Sequence, residues 1–249
     1  MRKKKRTSSI RLMAVAAISI AMMGLTYVGW SWMDGLIVHS VEVEGARHAD
    51  EEAILAMARV DSGGRLLDVD PTVIADRTLR HPWVRSSHVR RRPPGTVRIE
   101  VIERTPVVLA LGPGGAPAGY LDAHGYVMPI VEGAVYDVPL LRGVTLPEHP
   151  SMPIDATPVR DLLGSFDTLD PSVDALLSTI EVGPQGEIML HTAPAGTQGS
   201  VEVRLGTTNF EEQFERLNAF WTKAVLTRPE RMFETIDLRF DSQIVTRES

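Results

Sequence analysis

The spacing of hydrophobic and polar positions predicts three kinds of element along the chain. Residues 12–33 carry no charge, and about 20 apolar residues at 1.5 Å rise are enough for a helix to cross a bilayer. Alternating apolar and polar residues at 41–44 and 97–101 predict half-buried strands. Apolar residues three and four positions apart in 51–58 and 210–226 predict amphipathic helices. The pattern therefore indicates one membrane helix followed by mixed helical and sheet structure.

The charges that flank the uncharged segment predict its orientation. Six basic residues precede it: Arg2, Lys3, Lys4, Lys5, Arg6 and Arg11. Because Lys and Arg stay on the cytoplasmic side, we expect the chain from Asp34 onward to lie outside. Trp30 and Trp32 stand near the outer end, where indole rings favour the headgroup layer. A cleaved secretory signal is the alternative, but its apolar part is usually shorter and ends at a small-x-small site. This segment ends in Trp-Ser-Trp-Met-Asp, which favours an anchor.

The first part of the exported chain predicts a compact α+β module. The predicted order is strand, helix, helix, strand, strand, at 37–45, 50–58, 70–81, 83–92 and 96–104. Acidic residues at Asp50 to Glu52 suit the first turn of the first helix. Asp70 is the predicted N-cap of the second helix, with Pro71 at its first position.

The second part predicts a mainly antiparallel β domain with flanking helices. Strands are expected at 107–111, 180–182, 187–191, 201–205, 235–240 and 242–246, a hairpin at 119–128, a short strand or edge segment at 138–141, and a helix within 155–169. Asn209 is the predicted N-cap of an amphipathic helix that runs to about Leu226. Its apolar stripe, which includes Phe214 and Trp221, is expected to be core.

Composition excludes several kinds of function. The exported part keeps 20 of the 26 basic residues against all 32 acidic ones, a net charge of −12. Such a body does not attract nucleic acid by electrostatics. No cysteine is present, so thiol nucleophiles and thiolate metal sites are excluded. The seven histidines show no metal-ligand spacing, and no nucleophile elbow or phosphate loop occurs. We therefore expect no cofactor, no metal, no catalytic residue and no small-molecule substrate.

One basic cluster stands out on the exported part. It consists of Arg85, Arg90, Arg91 and Arg92, with Arg80 nearby. A solvated edge strand explains such charge, since it discourages pairing between sheets. The alternative is a docking surface for an acidic partner segment or for lipid headgroups.

A series of short motifs carries a resemblance to a known family. In order they are VEVEG at 41–45, LLDVD at 66–70, HPWV at 81–84, RRPPGTV at 91–97, ERTP at 103–106, LDAHGYV at 121–127, PLLRG at 139–143 and IDLRF at 236–240. In order and spacing the chain resembles the FtsQ family of bacterial cell-division proteins, called DivIB in Gram-positive bacteria, over about 37–246. The loop at 112–117 is longer than the family pattern needs, and the chain stops soon after Phe240.

The resemblance implies a fold and a domain division. It implies a cytoplasmic basic tail at 1–11, a transmembrane helix at 12–33, a POTRA-like β-α-α-β-β module at 36–104 and an FtsQ-type β domain at 105–249.

The resemblance also implies a function. We expect a non-enzymatic, single-pass type II scaffold of the cytoplasmic (inner) membrane at the division septum. It would link early and late division proteins, bind an FtsB–FtsL pair and other divisome members, and help control septal peptidoglycan synthesis. Two alternatives stay open: a POTRA-bearing chaperone-like factor for exported or outer-membrane chains, and a membrane-tethered hydrolase. The first should carry tandem modules and a barrel of at least about eight strands. The second needs a nucleophile, a metal cluster or an acid–base pair.

The last predicted strand is the candidate partner site. A terminal strand is often a sheet edge, and an edge offers unpaired N–H and C=O groups to another chain. In the family that the chain resembles, FtsB adds a strand near this position. We therefore expect Arg239, Phe240, Ile244 and Val245 to contribute to that surface.

Overall fold

The structure is a computed structural model that describes residues 4–228, 230–240 and 242–248. The α+β chain separates into two compact units. The first consists of the residues up to 46 together with 50–79 and 86–102, and the second consists of 47–49, 80–85 and the chain from 103 onward.

The first unit begins with the predicted long helix, α1 (Lys4–Asp34). Its segment Met13–Asp34 is long and apolar enough to cross a membrane, close to the predicted 12–33. Trp30 and Trp32 are exposed near its end.

The elements between α1 and residue 103 follow the predicted order. That order is β1 (Ser40–Glu44), α2 (Glu51–Ala58), a 3-10 turn (Leu66–Asp68), α3 (Pro71–Thr78), β2 (Val84–Arg92) and β3 (Thr96–Glu103). The predicted N-cap Asp70 is confirmed, since its side chain accepts from the N–H of Thr72. Asp50, expected only to suit the first turn, is the N-cap of α2 and accepts from the N–H groups of Glu52 and Ala53. The strands form one sheet in the order β1-β3-β2, with β1 parallel to β3. β2 is therefore an edge strand.

The second unit is built on one nine-stranded sheet. Its elements are β4 (Val108–Leu111), β5 (Pro117–Leu121), β6 (Val127–Met128), β7 (Leu140–Arg142), α4 (Thr157–Ser165), α5 (Pro171–Asp174), β8 (Leu177–Val182), β9 (Ile188–Thr192), β10 (Glu202–Leu205), α6 (Phe210–Phe220), a π-helical turn (Trp221–Val225), β11 (Phe233–Asp237) and β12 (Val245–Glu248). The strand order is β12-β11-β10-β9-β8-β7-β4-β5-β6. Most neighbours are antiparallel, and β7 is parallel to both β4 and β8.

Apolar side chains of the helices fill the space over this sheet. Leu162 of α4 and Phe214 and Leu217 of α6 are buried in one cluster with strand residues such as Ile180 and Val203. The apolar stripe of α6 is core, as predicted, and its burial holds the helix on the sheet.

The structure corrects several predictions in this unit. The segment near 138–141 is a strand but not an edge, because β7 lies between β4 and β8. Asn209 has φ +57° and makes no side-chain cap. Instead, the side chain of Gln213 accepts from the N–H of Gly206 and donates to the carbonyl oxygen of Thr208. The α-helix also ends at Phe220, before Leu226, and continues as the π-helical turn.

A further correction concerns the last two strands, predicted at 235–240 and 242–246. β11 ends at Asp237 because its carboxylate accepts from the N–H of Arg239 at 3.1 Å. Such a local bond removes a donor from the strand ladder. β12 then begins at Val245 rather than Ser242.

A glycine in the PLLRG motif has a steric role. Gly143 has φ +80°, and a Cβ there would overlap the carbonyl oxygen of Val182, which follows the ladder of β7 with β8. Only glycine combines this conformation with so close a backbone approach.

We predict that Gly143→Ala lowers the free energy of unfolding by at least about 2 kcal/mol more than Gly133→Ala, since overlap adds to conformational strain. Gly133 is the matched control, because its φ is +82° and a Cβ added there would have no atom within 4 Å. Urea unfolding followed by tryptophan fluorescence measures both. Equal losses for the two variants would show that the backbone at Val182 moves freely.

Candidate partner-binding surface

The strand β12 forms one open edge of the nine-stranded sheet. It pairs antiparallel with β11, with Val245 opposite Asp237 and Thr246 opposite Ile236. On its other side no strand lies among the residues that the structure describes. The expected terminal edge is therefore confirmed, although the strand begins later than predicted. Its outward backbone groups are available to an added strand.

A single arginine from α6 binds backbone carbonyl groups of three described residues between β11 and β12. The guanidinium of Arg216 donates to the carbonyl oxygens of Leu238, Phe240 and Gln243, at 3.4, 2.6 and 2.9 Å. A planar guanidinium with five N–H donors suits such a cluster of acceptors. The connection is thus held by α6 close to where β12 begins. Sequence reasoning missed Arg216, since its spacing in the helix matches any exposed polar position.

The apolar residues of the predicted surface divide into two groups. Phe240 and Val245 are 46% and 45% exposed, which leaves both side chains open to a partner. Ile244 is half-buried and packs against the core of the unit. It therefore fixes the start of β12 more than it presents a free contact.

The charged residue of the predicted surface is already paired. Arg239 donates from Nε to Oδ1 of Asp237 at 2.9 Å and from Nη2 to Oδ2 at 2.6 Å. These bonds hold the pKa of Asp237 below its usual value, against the effect of burial, and nearby Arg204 lowers the pKa further. In turn, the hydrogen bonds to Asp237 and its negative charge raise the pKa of Arg239. Arg239 thus presents a largely neutralised, half-exposed side chain.

Two exposed ion pairs connect the last strands. Arg247 lies 3.3 Å from Glu234, and Glu248 lies 3.2 Å from Arg231. Exposed pairs stabilise weakly, by roughly 0–1 kcal/mol each. These ion pairs favour the observed register of β12 against β11 and leave the open edge of β12 accessible.

The predicted basic cluster lies on β2, the edge strand of the other sheet. Arg90 is 4.0 Å from Glu100, and Arg91 donates to the carbonyl oxygen of Leu67 at 2.9 Å. Arg85 and Arg92 are exposed. Two of the four guanidinium groups therefore already have partners in the protein.

A partly buried polar network in the second unit escaped sequence reasoning. Oε1 of Glu103 accepts from the N–H groups of Arg47, His48 and Ala49 at 2.6–2.8 Å. Oε2 lies 2.9 Å from Nδ1 of His48, which also contacts the hydroxyl of Tyr136. Burial raises the pKa of Glu103, but these backbone N–H groups outweigh it, so the pKa lies below its usual value. A carboxylate occupied by three backbone donors acts as a structural cap for this turn.

A buried carboxylate, that of Asp122, explains the LDAHGYV motif. Asp122 accepts from the N–H groups of His124 and Tyr126, at 3.0 and 2.8 Å, which closes the hairpin turn. Its other oxygen accepts from Arg104 at 2.7 Å, and that guanidinium lies 4.0 Å from the ring centre of Tyr126. The motif is therefore structural. Across the described residues no group of His, Cys, Asp and Glu is arranged to hold a metal ion.

These features together define a class of protein. The chain has a candidate membrane helix, a small β-α-α-β-β module and a large sheet with an open terminal edge. Residues 37–104 match the family model of the FtsQ-type POTRA domain. Residues 114–247 match the model described as FtsQ/DivIB, C-terminal related. The chain belongs to the FtsQ/DivIB family of bacterial cell-division proteins, as the sequence motifs indicated.

Three relatives illustrate how far the similarity extends. The cell division protein FtsQ of Rhodothermus marinus is 48% identical over 245 residues, which cover 98% of this chain and 90% of the relative. That of Salinibacter ruber is 35% identical over 241 residues, or 96% and 93% of the two chains. That of an Anaeromyxobacter species is 28% identical over 228 residues, or 86% and 74%. The similarity thus includes nearly the whole chain and supports a role in cell division.

We predict that Asp237→Asn removes an acid-sensitive part of the stability of the second unit. Because the folded-state pKa of Asp237 is depressed, its contribution is full above the usual carboxyl pKa of about 4 and is lost as pH falls through the depressed value. The difference in unfolding free energy between wild type and variant should therefore shrink on acidification. Urea unfolding at a series of pH values measures it, with Asp76→Asn as the exposed control. A difference that stays constant with pH would contradict the assigned pairing with Arg239.

Proposed function

We propose that this chain is a non-enzymatic scaffold of the division machinery whose edge strand β12 binds FtsB of an FtsB–FtsL pair. The observation that carries the proposal is the open edge of β12 beside two half-exposed apolar side chains, Phe240 and Val245. Family membership supports the division role. The identity of the partner comes from the resemblance.

Strand addition accounts for how such an edge would bind. An incoming strand forms main-chain hydrogen bonds with the open edge of β12. Side chains near the ends of β12 then give specificity. The loop held by Arg216 keeps Phe240 close to the start of the strand. Because these carbonyl groups already have a donor before binding, less conformational entropy is lost there on association. Arg239, paired with Asp237, would contribute contact area more than charge.

The rest of the chain would determine where this edge operates. We propose a cytoplasmic tail at 1–11, a spanning helix at 12–33, a POTRA domain at 36–104 and a β domain at 105–249. The six basic residues before the helix favour a cytoplasmic N-terminus, so the two domains would lie outside the inner membrane, at the septum. There the scaffold would link early and late division proteins and help control septal peptidoglycan synthesis, with no bond made or broken by this chain.

We further propose that β2 forms a second docking surface for another member of the division machinery or for lipid headgroups. Arg85 and Arg92 are exposed, while Arg90 and Arg91 have contacts within the protein. An edge strand with exposed positive charge suits an acidic partner segment. The first two residues should therefore contribute most.

We predict that Phe240→Ala weakens the binding of an FtsB–FtsL pair by at least about tenfold, since truncation of an aromatic anchor removes a large part of interface energy. The measurement is titration of the purified full-length protein in detergent. Val135→Ala is the matched control, because this residue is 90% exposed in the same unit, in a loop away from β12.

Both variants truncate exposed side chains, so both should fold. Wild-type affinity in Phe240→Ala, together with wild-type affinity in a Val245→Asp variant, would place the partner elsewhere. A loss of binding in Val135→Ala as large as in Phe240→Ala would equally count against the edge.

A further inference from the structure

We propose that a cavity in the first unit binds the headgroup of a zwitterionic phospholipid with a primary ammonium, of the phosphatidylethanolamine type. The cavity has a volume of about 400 Å³. Its walls are formed by residues 59–61, 64–65, 68–70, 73–74 and 77. The inference rests on the membrane placement proposed above and concerns a ligand other than FtsB–FtsL.

The first step is the position of the cavity relative to the membrane helix. Arg65, in the cavity wall, forms an ion pair with the carboxylate of Asp34, the last residue of α1. Asp34 also ends the segment that can cross a bilayer. The headgroup layer is roughly 5–8 Å thick on each side of the hydrocarbon. Groups that touch Asp34 therefore lie at the depth of lipid phosphates.

The second step is that the connection holds this position. After α1 the backbone pairs with the segment that lines the cavity: the N–H of Leu66 donates to the carbonyl oxygen of Leu36 at 2.8 Å. The N–H of Val38 likewise donates to the carbonyl oxygen of Gly64, also at 2.8 Å. The chain thus passes from the helix into the module through paired backbone rather than a free linker. The cavity should keep its height above the bilayer.

The third step is the charge of the wall. Three guanidinium groups (Arg59, Arg65 and Arg77) and three carboxylates (Asp61, Asp68 and Asp70) line the cavity. Most have partners within the protein. Arg65 pairs with Asp34 and Arg77 donates to the carbonyl oxygen of Ala58, while Asp70 caps α3 and Asp68 lies 4.0 Å from Arg65.

Two opposite charges stay available after these pairs are assigned. The side chains of Arg59 and Asp61 make no hydrogen bond or ion pair within the part of the chain that the structure describes. Both residues are exposed. A guanidinium matches a phosphate, and a carboxylate matches an ammonium that can donate hydrogen bonds. A purely anionic headgroup would satisfy Arg59 and be repelled by Asp61, which favours the zwitterion.

The test uses full-length protein in nanodiscs that contain equal amounts of phosphatidylethanolamine and phosphatidylcholine. Native mass spectrometry of the released protein gives the amount of each lipid retained and therefore the ratio of the two. We expect a preference for phosphatidylethanolamine, because the quaternary ammonium of phosphatidylcholine donates no hydrogen bond to Asp61. Arg59→Gln should reduce retention of both lipids, and Asp61→Asn should remove the preference. Each effect should be about tenfold, as expected for one charge-assisted hydrogen bond.

Matched controls are Arg228→Gln in the second unit and Asp76→Asn on α3, both of which should behave as wild type. Equal retention of the two lipids by wild type would overturn the proposal. So would unchanged retention of both lipids in Arg59→Gln, or an unchanged ratio of the two lipids in Asp61→Asn. Binding of soluble phosphoethanolamine to the protein in detergent, without retention of the lipid in nanodiscs, would assign the cavity to a free ligand and also overturn it. None of these outcomes bears on FtsB–FtsL binding, since β12 belongs to the other unit.

Discussion

An open sheet has two edge strands, and each edge strand has a row of unpaired backbone N–H and C=O groups. The proposed binding of a partner depends on these unpaired groups. In the second unit one end is the short β6, with only Val127 and Met128, and the other is β12. β12 lies beside exposed apolar side chains, whereas Met128 of β6 is fully buried. The two ends therefore differ in length and in their own side chains: β12 has four residues, among them the exposed Val245, whereas β6 has only two residues, neither of them exposed.

The edge strand β12 is positioned by contacts that described residues next to it make with the rest of the unit. Arg216 binds three carbonyl oxygens of the loop, and the carboxylate of Asp237 ends β11 by taking the N–H of Arg239. Ile244 then packs into the core. Residues held in place on either side of an edge suit a scaffold, since less conformational entropy is lost when a partner binds. Within the described part of the chain, the charged side chains of β11 and β12 are all in ion pairs, so the specificity of this edge should come from shape and backbone pairing.

Much of the fold could be predicted from local signals, and the exceptions have physical reasons. Asp50 and Asp70 act as N-caps because the cap, the proline at Pro71 and the apolar stripe lie within one short segment. The central place of β7 could not be predicted, since pairing of distant strands leaves no local pattern. Asn209 was misread because an asparagine before a helix suits both an N-cap and a left-handed residue. Arg216 gave no signal, because its role depends on carbonyl groups more than 20 residues away.

The central claim is that FtsB–FtsL pairs with β12, and hydrogen–deuterium exchange of the full-length protein with and without that pair tests it most directly. Strand addition predicts that amides of residues 245–248 exchange much more slowly in the complex, while those of β6 at the opposite end of the sheet are unchanged. Unchanged exchange in β12, with new protection on β2 or elsewhere, would contradict it.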